Sequence, residues 1–129
     1  MTRPPTKLET IRALVREQRR TCLKARTIVV SLRSALADFQ AISDTLEPEE
    51  IRFAMRRAWC ERAATLLLDL RADLMRAQGL GRGLMAMQAP GSLGRLGGPL
   101  NELELASEAA SRAIEQGEAM TQAVLRPAS

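Results

Sequence analysis

The stretch that decides the fold is LETIRALVREQRRTCLKARTIVVSLRSALADFQ, residues 8–40. Stepping by three and four residues from Leu8 reaches Ile11, Val15, Gln18, Cys22, Ala25, Val29, Leu32, Leu36 and Phe39. All but Gln18 are apolar or small, over more than four heptads, which is the period of one face of an α-helix. Leu14, Ile28 and Ala35 lie beside this row and widen it beyond a two-stranded coiled-coil seam, toward the face of a bundle helix. No Gly or Pro interrupts residues 7 to 43. Pro4 and Pro5 precede the run, and Thr6 with Glu9 has the spacing of a capping box. The pattern predicts a helix over about 7–43, roughly 55 Å long at 1.5 Å per residue. Such a rod is marginal in water by itself and must lay its stripe against others.

The chain after it supplies two partners. Residues 43–47 break the pattern, Pro48 fits a first helical position, and Glu49 and Glu50 suit the positive end of a helix. The second helix is expected over 48–78, with Phe53, Cys60, Ala63, Leu67, Leu70, Leu74 and Ala77 as its stripe and Gly79 as its stop. Ile51, Met55, Trp59 and Leu66 make a second apolar ridge. Trp59 and Met55 are expected to fill the core, the alternative being a soft partner-binding groove. The short connection makes the first two helices an antiparallel hairpin.

Seven of the eight glycines, with Pro90 and Pro99, fall in residues 79–99. This composition reads as a flexible linker, and its apolar Leu84, Met85 and Met87 form a candidate partner-binding segment. Asn101 and Glu104 can cap a third helix over 101–125, with Leu103, Ala106, Ala110, Ala113, Gly117, Met120 and Val124 as its stripe. The expectation is an all-α helical bundle, a long antiparallel helical hairpin plus a third helix, in one domain spanning 1–129. Helices of unequal length leave the far part of the first under-covered, which predicts self-association.

Composition narrows the chemistry. The chain has no histidine, so His-based catalysis and His metal sites are excluded. Two cysteines, Cys22 and Cys60, both on apolar stripes, make neither a disulfide framework nor a zinc site. They read as small buried hydrophobes in a reducing compartment. Gly79, Gly81 and Gly83 follow a helix rather than a strand, and no Lys-Ser/Thr succeeds them, so they are not a phosphate loop. Glu47, Glu49 and Glu50, like Glu102, Glu104 and Glu108, sit at helix starts where the dipole favours them. No catalytic residue, cofactor or metal is expected. The start of the chain lacks an uninterrupted apolar run, and no stretch is long enough to span a bilayer. A cytoplasmic protein is expected.

Charge is unevenly spread. Residues 1–40 carry nine basic and three acidic groups, whereas residues 100–129 carry two and five. Arg12, Arg19, Arg26 and Arg33 are seven apart and occupy one heptad position, with Arg16, Arg20 and Lys24 broadening the ridge. One reading is a basic rail for phosphates or an acidic partner. The other is that the arginine stems cover the core edge and their heads pair with carboxylates of a neighbouring helix.

The run from Arg16 to Arg20, followed by Arg26-Thr27, Leu32-Arg33, Leu36 and Phe39, resembles a helical stretch of the DEDD-type insertion-sequence transposases that also use a serine. The resemblance covers Leu14 to Ile42 and implies a coiled-coil segment that oligomerises or binds nucleic acid. Family members commonly place Gly after the Phe, where this chain has Gln40. Their nuclease and serine domains have no counterpart here, so no catalytic residue carries over. Together these features predict a non-catalytic helical interaction protein (adaptor, assembly factor or chaperone-like). Its partner is a second copy, making a homo-oligomer, or a helix of another protein. Nucleic acid, bound through Arg12, Arg16, Arg19, Arg26 and Arg33, is the alternative. Membrane attachment is not expected, since the first stripe carries only Phe39 among the aromatics.

Overall fold

A computed structural model describes residues 3–42, 49–87 and 93–125. They form three helices: α1 (Lys7–Ile42), α2 (Glu49–Ala86) and α3 (Leu93–Leu125), with no strand among the described residues. The fold is an all-α bundle. At α1's start the Glu9 amide donates to Thr6 Oγ1 at 3.1 Å and the Thr10 amide to the Thr6 carbonyl at 2.9 Å. The Thr6 hydroxyl therefore caps one of the amides that the first turn leaves open, and its carbonyl accepts the first bond of the helical ladder. The Glu9 carboxylate turns outward and accepts from Arg3 at 2.7 Å.

The core is stacked in three levels. At one end Ile11, Leu14 and Val15 of α1 meet Ala77 of α2 and Leu100 and Leu103 of α3. The middle joins Cys22 and Ala25 to Leu67, Leu70 and Leu74 and to Ala110 and Ile114. The other end joins Leu32 to Cys60 and Ala63, with Met120, Val124 and Leu125 packed on them. The order of levels makes α1 and α3 parallel and α2 antiparallel to both, an up-down-up bundle. At mid-height Gly117 lets α3 come close. A Cβ there would stand 2.8 Å from Leu67 Cδ1 and 3.4 Å from Val29 Cγ2. Gln18, fully buried, is the polar member of α1's stripe; its Nε2 donates to the Leu74 carbonyl at 3.4 Å while its Oε1 has no partner.

Four expectations are corrected. Residues 79–99 are not one linker: α2 continues through Gly79, Gly81 and Gly83 to Ala86, and α3 starts at Leu93, ahead of Pro99. Each helical glycine costs about 1 kcal/mol relative to alanine. The longer helices bury Gly81 against Leu103, and Leu84, Leu96 and Leu100 against the first core level, which offsets that cost. Residues 88–92 of the expected linker lie outside the described ones.

The buried face of α3 is wider than the predicted one. Leu103, Ala110, Ala113 and Gly117 are buried as expected, Leu100, Ser107, Ile114 and Thr121 join them, and Ala106, Met120 and Val124 are half-buried. Thr121 is tolerated there because its hydroxyl donates to the Glu118 carbonyl at 2.9 Å.

Trp59 and Met55 are not core residues. They are 44% and 45% exposed, as are Ile51 and Leu66 to a similar degree. Two neighbouring helices cover one stripe of α2, and the second ridge lies off that stripe.

Finally, the far part of α1 is covered. Its stripe is buried at Val29, Leu32 and Phe39, and only Leu36 is half-open. The uncovered apolar surface belongs to the start of α2, because α3 ends at the level of Cys60.

Candidate functional site: an arginine row on α1 and an apolar ridge on α2

The helix faces determine what is left for binding. On α2 the flank carrying Arg71 points to α3. Arg71 donates from Nε to Glu118 Oε2 at 2.9 Å and from Nη2 to Oε1, a two-bond clamp. That hydrogen bond first, and the charges of Glu118 and Glu115 after it, raise the Arg71 pKa against the opposing effect of burial. The opposite flank faces α1, where Arg76 pairs with Glu17. On α1, Glu17 therefore marks the α2 side, and the row Arg12, Arg19, Arg26, Arg33 lies on the α3 side.

All four arginines, and Arg16 near them, are exposed. Among the described residues none of the five forms an ion pair. The register explains this. Glu104 and Glu118 sit on the flank of α3 that faces α2, and the flank facing α1 carries Ala106, Ala109, Ala113 and Met120. Glu104 and Glu118 are thus turned away from the row, and Glu102, one heptad before Ala109, is the acid of α3 left on its side. Between residues 10 and 37, α1 has seven basic side chains and one acid, Glu17, which is held by Arg76. Arg16, Arg20 and Lys24 border a polar cleft of about 500 Å³ against Asp73 and Arg76 of α2.

The residues of the candidate segment Leu84, Met85, Met87 are placed differently. Leu84 is half-buried against the first core level. Met85 is exposed at the mouth of a cleft of about 590 Å³ between α2 and α3, floored by Gly81, Leu100 and Leu103. Met87 is 71% exposed in the turn after α2.

Sequence reasoning favoured the core for Trp59 and Met55, with a partner-binding groove as the alternative, and the structure leaves the whole ridge at the surface. Ile51, Met55, Trp59 and Leu66 follow one another at helical spacing along an exposed face. The available signal was that ridge's offset from the Cys60–Leu67–Leu74 stripe. Leu23 and Val30 of α1 are also exposed, on the row that carries Arg16.

Both cysteines are free and buried. Burial pushes the Cys60 thiol pKa up, and the nearby Arg56 charge only partly counters it. Among the described residues no cluster of three or more acids and cysteines converges, and no helix is long and apolar enough to cross a membrane. Comparison with family models, curated proteins and solved structures finds no match for this chain.

Proposed function

We propose that this chain is a non-catalytic helical interaction protein, of adaptor, assembly-factor or chaperone-like type. It associates with a second copy or with a partner helix through the first half of α2. The observation that carries this reading is the exposed ridge of Ile51, Met55, Trp59 and Leu66 on a helix face that neither α1 nor α3 covers. A row of large apolar groups at i, i+4 and i+8 spacing is what an amphipathic helix recognises. The reading belongs to the cytoplasm, where buried thiols such as Cys22 and Cys60 stay reduced.

The test is capture of partners by the immobilised full chain, with and without nuclease, read by mass spectrometry beside the Trp59→Asp variant. Nuclease-resistant capture that Trp59→Asp abolishes is the expected result. A compact monomer that captures nothing after nuclease treatment refutes the reading.

A second reading has its own support: among the described residues the arginine row forms no ion pair and is exposed, so its charge faces solvent. Such a row suits the phosphate backbone of a nucleic acid, and the resemblance over residues 14–42 points the same way. Changing Arg12, Arg19, Arg26 and Arg33 to Glu then removes a mobility shift of labelled DNA or RNA at low salt, with helicity unchanged. No shift by the unaltered chain at low salt refutes it.

A further inference from the structure

The outward face of α2 is complementary to itself, and we propose that its occupant is the α2 helix of a second copy, packed antiparallel about a two-fold axis between Thr65 and Leu66. This proposal rests on the reading above and names the partner of that surface.

The middle of the face carries charge. Arg62 and Asp69 lie one heptad apart on the same exposed row. Among the described residues neither forms an ion pair, although their neighbours Arg57, Arg71 and Arg76 hold Glu61, Glu118 and Glu17. At seven residues, about 10 Å along the axis, Arg62 and Asp69 are too far apart to satisfy each other. The apolar groups lie to either side: Ile51 and Trp59 before them, and Leu80 after, all exposed.

A two-fold axis between Thr65 and Leu66 brings each of these groups to a complement, and it sets Met55 along the stem of Arg76, whose head stays with Glu17. Arg62 meets Asp69 of the second copy, and symmetry makes that pair twice. Trp59 lies over Ala72, a small residue that leaves room for the indole. Ile51 meets Leu80, closing both ends of the interface with apolar contact, and Leu66 packs beside the axis. The alternatives bring like charges together. An in-register parallel pair opposes Arg62 to Arg62 and Asp69 to Asp69. An antiparallel pair slid by one heptad repeats one of those clashes. Charge thus fixes both direction and register, as flanking charges do in coiled coils.

Sedimentation equilibrium of the full chain over a wide concentration range tests this, with the emission of Trp59, the single tryptophan, as a local reporter. The expected result is a monomer–dimer equilibrium in which emission moves to the blue as dimer forms. Arg62→Asp and Asp69→Arg, both at exposed positions, each raise the dimer Kd about tenfold or more, since two attractive pairs become repulsive. The double variant carrying both changes restores the dimer. A dimer indifferent to both reversals, or reversals that do not compensate, overturns the proposal. So does a monomer at all concentrations. If that monomer still loses a captured partner on Trp59→Asp, the self-pairing is refuted and the wider reading stands; if Trp59→Asp changes nothing, both fall.

Discussion

Gly117→Ala sets two opposed effects against each other at one atom. Alanine in place of glycine inside a helix is favourable by about 1 kcal/mol. At Gly117 the added Cβ stands 2.8 and 3.0 Å from the two methyls of Leu67 and 3.4 Å from Val29 Cγ2. Leu67 is wholly buried, so its methyls cannot swing into solvent and α3 must move outward. Overpacking of this kind costs about 1–3 kcal/mol, so the net change is a loss of about 1 kcal/mol, or about 4 °C in Tm. Gly79 and Gly83 provide the contrast, since a Cβ at either meets nothing within 4 Å. Gly79→Ala and Gly83→Ala each gain about 0.5–1 kcal/mol. Urea unfolding followed by far-ultraviolet circular dichroism reads all three. Shortening the obstacle with Leu67→Val makes the double variant with Gly117→Ala less unstable than the two single losses added together. If Gly117→Ala stabilises as much as Gly79→Ala, α3 does not approach α2 as described and the middle level of the core is wrong.

Gln18→Leu raises stability by about 1 kcal/mol, because it removes a fully buried amide whose Oε1 is unpartnered and whose one hydrogen bond is long; an unchanged urea midpoint contradicts that account. Glu118→Gln breaks the charged clamp on Arg71 and costs about 0.5–1 kcal/mol, with the difference from the unaltered chain shrinking as salt is added; a difference insensitive to salt argues against an ionic origin. Burial holds Cys60 protonated in the folded chain to higher pH than in the unfolded chain. The contribution is therefore fully present below the usual thiol range and declines as pH rises through and above it. The loss of stability above about pH 9 is smaller in Cys60→Ala, and equal slopes for the two proteins contradict this.

The reach of the sequence follows from what each helix has to cover. The stripe of α1, including its lone Gln18, is visible because one helix carries a single uninterrupted apolar face that two neighbours bury along its length. The second half of α2 is visible for the same reason. Its first half is not, because two ridges compete there and nothing local says which one finds a partner. The choice depends on where α3 stops, and that is set in a different part of the chain. The glycines at 79–83 are also misleading alone: propensity speaks for a break, while Leu84 and the close fit of Gly81 on Leu103 prevail through packing. On α3 the breadth of the seam is hidden because Ser107 and Thr121 look polar, though each is buried. The arginine row was legible as a row, but its lack of ion pairs among the described residues depends on the register of α3, which carries Glu104 and Glu118 toward α2.

With the first and third helices running the same way, residue 3 and residue 125 lie at opposite ends of the molecule. The 33 residues of α3 measure about 50 Å, so a flexible tether closing the two ends needs more than a dozen extended residues. Groups attached at residues 3 and 125 are held that far apart by a stiff strut, and the gap is determined by the count of helical turns, whatever the surface chemistry.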